Sequence, residues 1–195
     1  MSEQRMVSRR TALAGLGGGG LGLAFASHLT GATASSHSAA LADHPLTGVW
    51  MAIVTLPTAP GVPIAVPSIY TADGSVLLAF PPSEAGPQGV VLKSAAVGVW
   101  EALDERTGYF TAVLMRSDVD GSYLGSVTIE GRPSVSEDGQ TFEDGNPENV
   151  TTIRDASNAV VAAIPGGSPE PVRGIRMGPG NPGFPEAPGE ATPLS

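Results

Sequence analysis

The 195-residue sequence contains no cysteine, so no disulfide framework can hold the fold together. Its three histidines, His28, His37 and His44, all lie near the N-terminus. A nucleophile activated by histidine and a histidine or cysteine zinc site are therefore not expected. Lys93 is the only lysine and the formal net charge is −9, which argues against nucleic acid and anionic membranes as partners.

Signatures of bound cofactors and metals are also missing. The glycine run 17–20 does not join a strand to a helix, so it does not predict a phosphate-binding loop. Residues 118–122 alternate oxygen-bearing side chains before Gly121, but the glutamate that would complete a calcium loop is absent at the required spacing. A solvated hairpin turn explains this stretch better. We therefore predict no cofactor and no metal.

The N-terminus carries the pattern of an export signal. Ser8-Arg9-Arg10-Thr11-Ala12-Leu13 resembles the twin-arginine signal family, although Ala12 stands where phenylalanine is usual. The apolar stretch 11–26 is rich in glycine, and it is too short and too weakly apolar for a stable membrane anchor. The resemblance implies that the twin-arginine export machinery recognises Arg9 and Arg10.

Two small-residue motifs, ending at Ala26 and Ala34, are candidate cleavage sites, and we favour the second. The signal then covers residues 1–34, and a polar leader covers 35–45. We expect the product to be soluble and exported, either to the periplasm or to the medium.

Beyond the leader, the sequence predicts an all-β body. Asp-Gly pairs at 73–74, 120–121 and 138–139 separate apolar runs, which is the strongest local signal for a β-hairpin. Residues 106–108 and 156–158 form looser turn signals of the same kind. Between them we expect about eight strands with period-two alternation, near 48–56, 64–72, 75–81, 90–103, 108–117, 122–135, 141–154 and 159–164.

Sequential hairpins indicate an antiparallel up-and-down meander over residues 46–164. Closing such a meander into a barrel hides its edge strands, and a two-sheet sandwich is the alternative. From residue 165 to 195 the sequence is rich in proline and glycine, and we expect this tail to be disordered. Within it, residues 172–177 could form a last edge strand that closes the barrel.

The sequence 46–50, Leu-Thr-Gly-Val-Trp, resembles the Gly-x-Trp motif that opens the first strand of lipocalin-like (calycin) barrels. A second Gly-x-Trp, at Gly98-Val99-Trp100, is similar to that of small secreted lipocalin-like bacterial domains. The resemblance implies an eight-stranded barrel with room for a small apolar ligand, and structural roles for Gly48, Trp50, Gly98 and Trp100. Other lipocalin features are not found, namely a Thr-Asp-Tyr stretch, a late arginine that can be assigned, a flanking helix and a disulfide.

Four aromatic side chains are candidates for ligand contact. Tyr70, Tyr109 and Tyr123 each combine an apolar ring with a polar tip, which suits a pocket mouth and equally suits a half-buried strand. Trp100 could stack on a ligand, but tryptophan at this position more often plugs the barrel interior.

Catalytic candidates are limited to Arg116 and Glu130. If Trp100, Phe110 and Leu124 point inward, strand parity places Arg116 and Glu130 in the same interior, where they could polarise a carbonyl and accept a proton. An energetically unimportant surface pair is the more common outcome for such charges.

Three functions remain open. The leading hypothesis is an exported barrel that binds a small hydrophobic ligand and is not an enzyme. The second is a barrel isomerase or cyclase that uses carboxylate, tyrosine and arginine groups, which an inward carboxylate with a raised pKa would favour. The third is an extracellular interaction domain without a ligand, which a solidly packed interior would favour.

Overall fold

The computed structural model describes residues 41–56, 61–86 and 89–185 of the chain. The predicted signal with Arg9 and Arg10, most of the polar leader and the last ten residues lie outside this range. Thirteen strands form within it: β1 Gly48–Thr55, β2 Pro63–Tyr70, β3 Ser75–Leu78, β4 Ser83–Gly86, β5 Gly89–Lys93, β6 Ala96–Ala102, β7 Gly108–Ser117, β8 Tyr123–Gly131, β9 Ser134–Val135, β10 Thr141–Asp144, β11 Val150–Arg154, β12 Val160–Pro165 and β13 Val172–Arg176.

The predicted all-β, antiparallel architecture is confirmed, but the number of strands and the closure of the barrel differ. All strands belong to one antiparallel sheet in the order β12-β11-β8-β7-β6-β3-β2-β1-β13-β10-β9, with β4 and β5 attached beside β7. The sheet path ends at β12 and at β9, so the sheet curls into an open barrel and does not form a closed ring. Neighbours such as β3 and β6, or β1 and β13, also show that the order is not a simple meander.

Three of the expected strands are each divided in two. The expected strand 122–135 breaks at Arg132-Pro133, because proline has no N–H to donate to a ladder. The strand 141–154 breaks at the turn 145–149, and the strand 90–103 breaks at Ser94-Ala95. There β5 and β6 both pair with β7, but on their other sides they pair with β4 and β3, respectively. The alternation of side chains along the sequence continues through these breaks, so this pattern did not predict where the strands end.

The predicted turns all connect paired strands. Gly74, Gly121 and Gly139 adopt positive φ angles of 85°, 83° and 70° in the β2–β3, β7–β8 and β9–β10 turns. Asn158 is the only non-glycine residue with positive φ among the described residues, and it lies in the β11–β12 turn. These positions set the hairpin registers that position the interior side chains.

The curl of the sheet brings aromatic rings together from strands that are not neighbours. Trp50 on β1 packs edge-on against Phe142 on β10, with ring centroids 5.2 Å apart. Tyr70 on β2 packs against both Trp100 on β6 and Phe110 on β7, each at 5.9 Å. Together with buried Leu41 and Leu46 they form the floor of the open barrel. The packed body therefore begins before the first strand.

A cluster of polar side chains links the end of β8 to the end of β10 across the gap in the barrel wall. The Oδ2 atom of Asp144, the last residue of β10, accepts a hydrogen bond of 2.9 Å from the backbone N–H of Arg132, which follows β8. Asn149, just before β11, donates from Nδ2 to Oδ1 of Asp144 at 2.6 Å and accepts from Arg132 Nη1 at 3.0 Å. We call Arg132, Asp144 and Asn149 the seam cluster.

The Pro/Gly-rich segment from residue 165 also differs from the expected disordered tail, as far as residue 185. Its strand β13 is not an edge strand, since it pairs with β1 on one side and β10 on the other. The connection from β12 to β13 crosses the open side of the barrel, where Ser168 Oγ donates to the carbonyl of Thr55 at 2.8 Å. Gly183 then packs against Met51 on the outer face of β1. Packing on β1 and β10 supplies the apolar contacts that this segment lacks by itself.

Candidate functional site

The concave face of the sheet encloses a partly open cavity of about 170 Å³. Most of its wall is aliphatic or aromatic, including Ala52, Val54, Val66, Leu78, Phe80, Phe110, Leu114, Val127, Ile129, Phe142, Ile153, Ile164 and Val172. For scale, an engineered apolar cavity of ~150 Å³ in another protein admits benzene. The cavity therefore has room for a small apolar molecule about the size of one aromatic ring.

The seam cluster supplies the polar part of one wall of this cavity. Asp144 and Asn149 both line it, and both are nearly inaccessible to solvent. Burial raises the pKa of Asp144, while the hydrogen bonds from Asn149 and from the Arg132 N–H, with the charge of Arg132, offset part of this rise. Asp144 is therefore an inward carboxyl group that holds a proton more readily than an exposed aspartate.

Tyr70 lies in the same interior. Burial, and to a smaller extent the charge of Asp144, hold the pKa of the Tyr70 phenol well above its usual value, so it stays a neutral hydroxyl. Among the described residues, its hydroxyl forms no hydrogen bond to protein. A hydroxyl without a protein partner beside a buried carboxyl can donate to a polar group of a ligand.

A second polar group lies where β4, β5 and β7 meet at the cavity. Lys93 Nζ forms an ion pair of 3.0 Å with Glu84, and its ammonium is 6.0 Å from the ring centroid of Phe80. Arg116 is the register partner of Lys93 on the adjacent strand β7, and it also lines the cavity. Its Nε is buried and has no hydrogen-bond partner among the described residues.

The four aromatic candidates from the sequence do not gather at this site. Tyr70 alone lines the cavity. Tyr109 lies on the outer face, where the guanidinium of Arg132 is 4.7 Å from its ring centroid. Tyr123 is exposed, with its hydroxyl 3.4 Å from Asn158 Oδ1 at the β11–β12 turn.

Trp100 occupies the floor below the cavity. Its Nε1 donates to the carbonyl of Thr71 at 2.9 Å, and its ring lies 5.4 Å from that of His44. Nδ1 of His44 accepts from the Leu46 N–H at 3.1 Å, so the proton is on Nε2, which donates to the Asp104 carbonyl at 3.0 Å. His44 therefore serves as a structural clamp beneath the floor.

The register separates Arg116 from Glu130, so the expected interior pair does not form. Phe110 faces Gly131 across β7 and β8, and Thr111 faces Glu130. Since directly paired residues share one face of a sheet, Glu130 lies on the outer face while Phe110 and Arg116 lie on the inner face. Glu130 reaches the cavity wall through its backbone, with its carbonyl oxygen near Gly167.

Sequence reasoning missed the seam cluster and the Lys93–Glu84 pair. Asp144 is two residues after Phe142, so strand parity with an inward phenylalanine was the available signal. The contributions of Arg132 and Asn149 come from two separate connections and had no local signal. Glu84 belongs to a short hairpin, β4–β5, which the turn signals of the sequence did not predict.

The hairpin turn at Asp118 uses its carboxylate internally. Oδ1 of Asp118 accepts from the N–H groups of Asp120 at 3.0 Å and Ser122 at 2.8 Å. Within the described parts of the chain, no cluster of three or more histidine, aspartate or glutamate side chains is arranged to hold a metal ion.

No protein-family model, no curated protein and no solved structure matches this chain. In the described residues, no helix is long and apolar enough to span a membrane.

Proposed function

We propose that this protein is an exported, lipocalin-like β-barrel that binds a small hydrophobic molecule in the cavity of its concave face. The observation that carries the proposal is the cavity of about 170 Å³ with a mainly aliphatic and aromatic wall. Apolar surface in a partly open cavity is stabilised when a ligand displaces water from it. A solidly packed interior, which would favour a ligandless interaction domain, is the competing arrangement.

The lipocalin-like part of the proposal gains support from Arg176. The sequence alone left the late arginine of the lipocalin pattern unassigned. Arg176, near the end of the last strand, lies with its guanidinium carbon 4.2 Å from the ring centroid of Trp50, the tryptophan of the first Gly-x-Trp motif. A late arginine on this tryptophan adds a further point of likeness to that family.

Export through the twin-arginine machinery remains part of the proposal, and a matched pair of variants tests it. Replacing Arg9 and Arg10 together with lysine conserves charge but removes the twin-arginine motif. We expect the double variant to stay in the cytoplasm as precursor, while the Arg5→Lys control is exported and begins at Ser35. Export of the double variant at the wild-type level would refute this route.

Ligand binding is tested by native mass spectrometry of the protein recovered from an exporting host, compared with its denatured mass. We expect an extra mass that is lost on denaturation. Ser68 is buried in the cavity wall, so Ser68→Leu should fill part of the space and reduce the extra mass. Ser75→Leu, at an exposed position on β3, is the control and should keep it. Equal native and denatured masses for the wild type would favour the interaction domain.

A second candidate function is an isomerase or cyclase, favoured by the raised pKa of Asp144 inside the cavity. In an isomerase of this kind the Asp144 carboxylate removes a proton from one substrate carbon and returns it at another. The double bond shifts, and no other reactant is needed. The neutral hydroxyl of Tyr70 would stabilise charge that develops on a substrate oxygen.

The enzymatic proposal predicts hydrogen exchange with solvent. The molecule released from the native protein is incubated with the protein in D2O, and deuterium incorporation is followed by mass spectrometry. We expect the wild type to catalyse incorporation and Asp144→Asn to lose it while still retaining the molecule. If the wild-type protein does not catalyse deuterium incorporation, the enzymatic proposal is wrong and the ligand-binding proposal stands.

A further inference from the structure

We propose that the ligand of this cavity carries a carboxylate, and that Arg116 binds it. This inference rests on the proposed ligand-binding function and specifies its substrate class. The occupant we infer is a small monocarboxylate with an apolar body about the size of one aromatic ring.

The first observation is the state of the Arg116 guanidinium. Arg116 lies on β7 with the inward parity of Phe110 and Leu114, and it contributes to the cavity wall. Its Nε–H is removed from solvent yet has no acceptor in the described chain. A buried donor on a charged group is costly unless an acceptor is supplied, and a bound ligand can supply it.

The second observation is the balance of charge around this arginine. Lys93, its register partner, is nearly inaccessible and already forms an ion pair with Glu84. Two cations therefore face one carboxylate at this part of the cavity, which leaves a local excess of one positive charge in a protein of formal charge −9. The other inward carboxyl, Asp144, is held by Asn149 and the Arg132 backbone.

The third observation is the kind of acceptor that suits the unpartnered Nε–H of Arg116. The Nε–H and one Nη–H of a guanidinium form a planar fork that matches the two oxygens of a carboxylate. The apolar wall formed by Leu78, Phe80 and Leu114 lies in the same cavity, so the body of such a ligand contacts aliphatic and aromatic surface. An uncharged hydrocarbon would satisfy the wall and leave Nε unpaired.

The test compares two probes of nearly equal shape, 3-phenylpropanoate and 3-phenylpropan-1-ol, by titration into the full exported protein. Two-dimensional 15N–1H NMR follows the cavity residues and the Arg116 side-chain Nε–Hε signal. We expect the carboxylate to bind at least tenfold more tightly than the alcohol, with a saturable shift of the Nε–Hε signal.

Variants separate the role of Arg116 from general effects. Arg116→Gln should reduce the preference for the carboxylate to less than twofold, and Arg116→Lys should keep part of it. Arg154→Gln is the matched control, because Arg154 hydrogen-bonds Thr128 from the outer face of β11. It should keep the full preference. Melting curves of all three variants establish that each is folded.

The outcomes distinguish this inference from the proposed function. If both probes shift cavity signals with equal affinity, or if Arg116→Gln keeps the tenfold preference, the carboxylate assignment is wrong and the binding function stands. If neither probe shifts any cavity signal in the wild type, the binding function fails together with the inference. A carboxylate preference that depends on Arg116 supports both.

Discussion

The guanidinium of Arg176 lies 4.2 Å above the ring of Trp50 and joins the last strand to the N-terminal end of the barrel. Its Nε donates to the Gly139 carbonyl at 2.6 Å and its Nη1 to the Thr47 carbonyl at 3.1 Å, and Nη2 donates to the Pro45 carbonyl. One side chain thus connects β13, the β9–β10 turn and the segment before β1.

Replacement of Arg176 is expected to destabilise the protein strongly. Arg176→Ala removes three hydrogen bonds from a charged donor and the cation–π contact, so urea unfolding should show a loss of about 3 kcal/mol. Arg173→Ala is the control on the same strand, because Arg173 is exposed and, within the described part of the chain, its side chain forms just a surface ion pair with Glu143. Its cost should stay below ~0.5 kcal/mol. Similar losses for both variants would contradict the role given to Arg176.

Gly98 is expected to tolerate no side chain. A Cβ at this position would overlap the Thr111 carbonyl and lie 2.6 Å from the Cα of Ala112 on the neighbouring strand. Gly98→Ala should therefore cost about 3 kcal/mol or more in urea unfolding and disturb the fluorescence of nearby Trp100. At Gly178 a Cβ would meet nothing within 4 Å, so Gly178→Ala should leave stability unchanged. A cost below ~1 kcal/mol at Gly98 would show that β6 and β7 can separate without penalty.

Asp144 is expected to make stability fall as the pH rises. Its carboxyl has an ordinary pKa of 3.8 in the unfolded chain and a raised pKa in the folded protein. The stabilisation is therefore complete below pH 3.8 and is lost as the pH rises through the raised value.

The side chain in Asp144→Asn cannot ionise. The stability of this variant relative to the wild type should therefore improve as the pH rises from 3.8 to the raised pKa of Asp144. The improvement should be at most about 1.4 kcal/mol per pH unit in this range, and it should stay constant at higher pH. A constant offset from the loss of one hydrogen-bond acceptor is superimposed. Chemical unfolding between pH 3 and pH 8 measures the difference, and Leu78→Ala, which removes no titratable group, should give a difference without this pH dependence. A flat curve for Asp144→Asn would show that Asp144 titrates alike in both states.

Arg116 is expected to lower the stability of the ligand-free protein. Arg116→Met keeps most of the aliphatic volume and removes the unpartnered buried Nε, so the free energy of unfolding should rise by about 1 kcal/mol. This corresponds to a rise in Tm of roughly 2–4 °C. Arg154→Met loses the hydrogen bond to Thr128 and should not gain stability. A loss of stability in Arg116→Met would indicate that the arginine supports the fold rather than a ligand.

The sequence predicted the strand class, the antiparallel pairing and all five turns that it marked, because Asp-Gly and related signals are local. It did not predict where strands are interrupted. Ser94 illustrates the reason: its backbone N–H donates to the Met115 carbonyl at 3.0 Å, and its Oγ accepts from the Met115 N–H at 3.0 Å. This contact depends on a distant strand, and the residues on either side of Ser94 continue the same apolar pattern.

The site was predictable only in part for the same reason. Parity along one strand correctly grouped Arg116 with Phe110, but grouping it with Glu130 needed the register between β7 and β8. That register pairs Phe110 with Gly131, and shifting it by one residue would have placed Glu130 inside. Asp144 depends on the same kind of long-range information, because its two hydrogen-bond donors follow β8 and precede β11.

The seam cluster joins the barrel wall to the cavity through one carboxylate. Adjacent strands of the sheet are joined by main-chain hydrogen bonds, whereas the end of β8 and the end of β10 meet through the side chain of Asp144. The same side chain lines the cavity. A change in the protonation of Asp144 therefore alters the link between these two strand ends and the polarity of the cavity wall together.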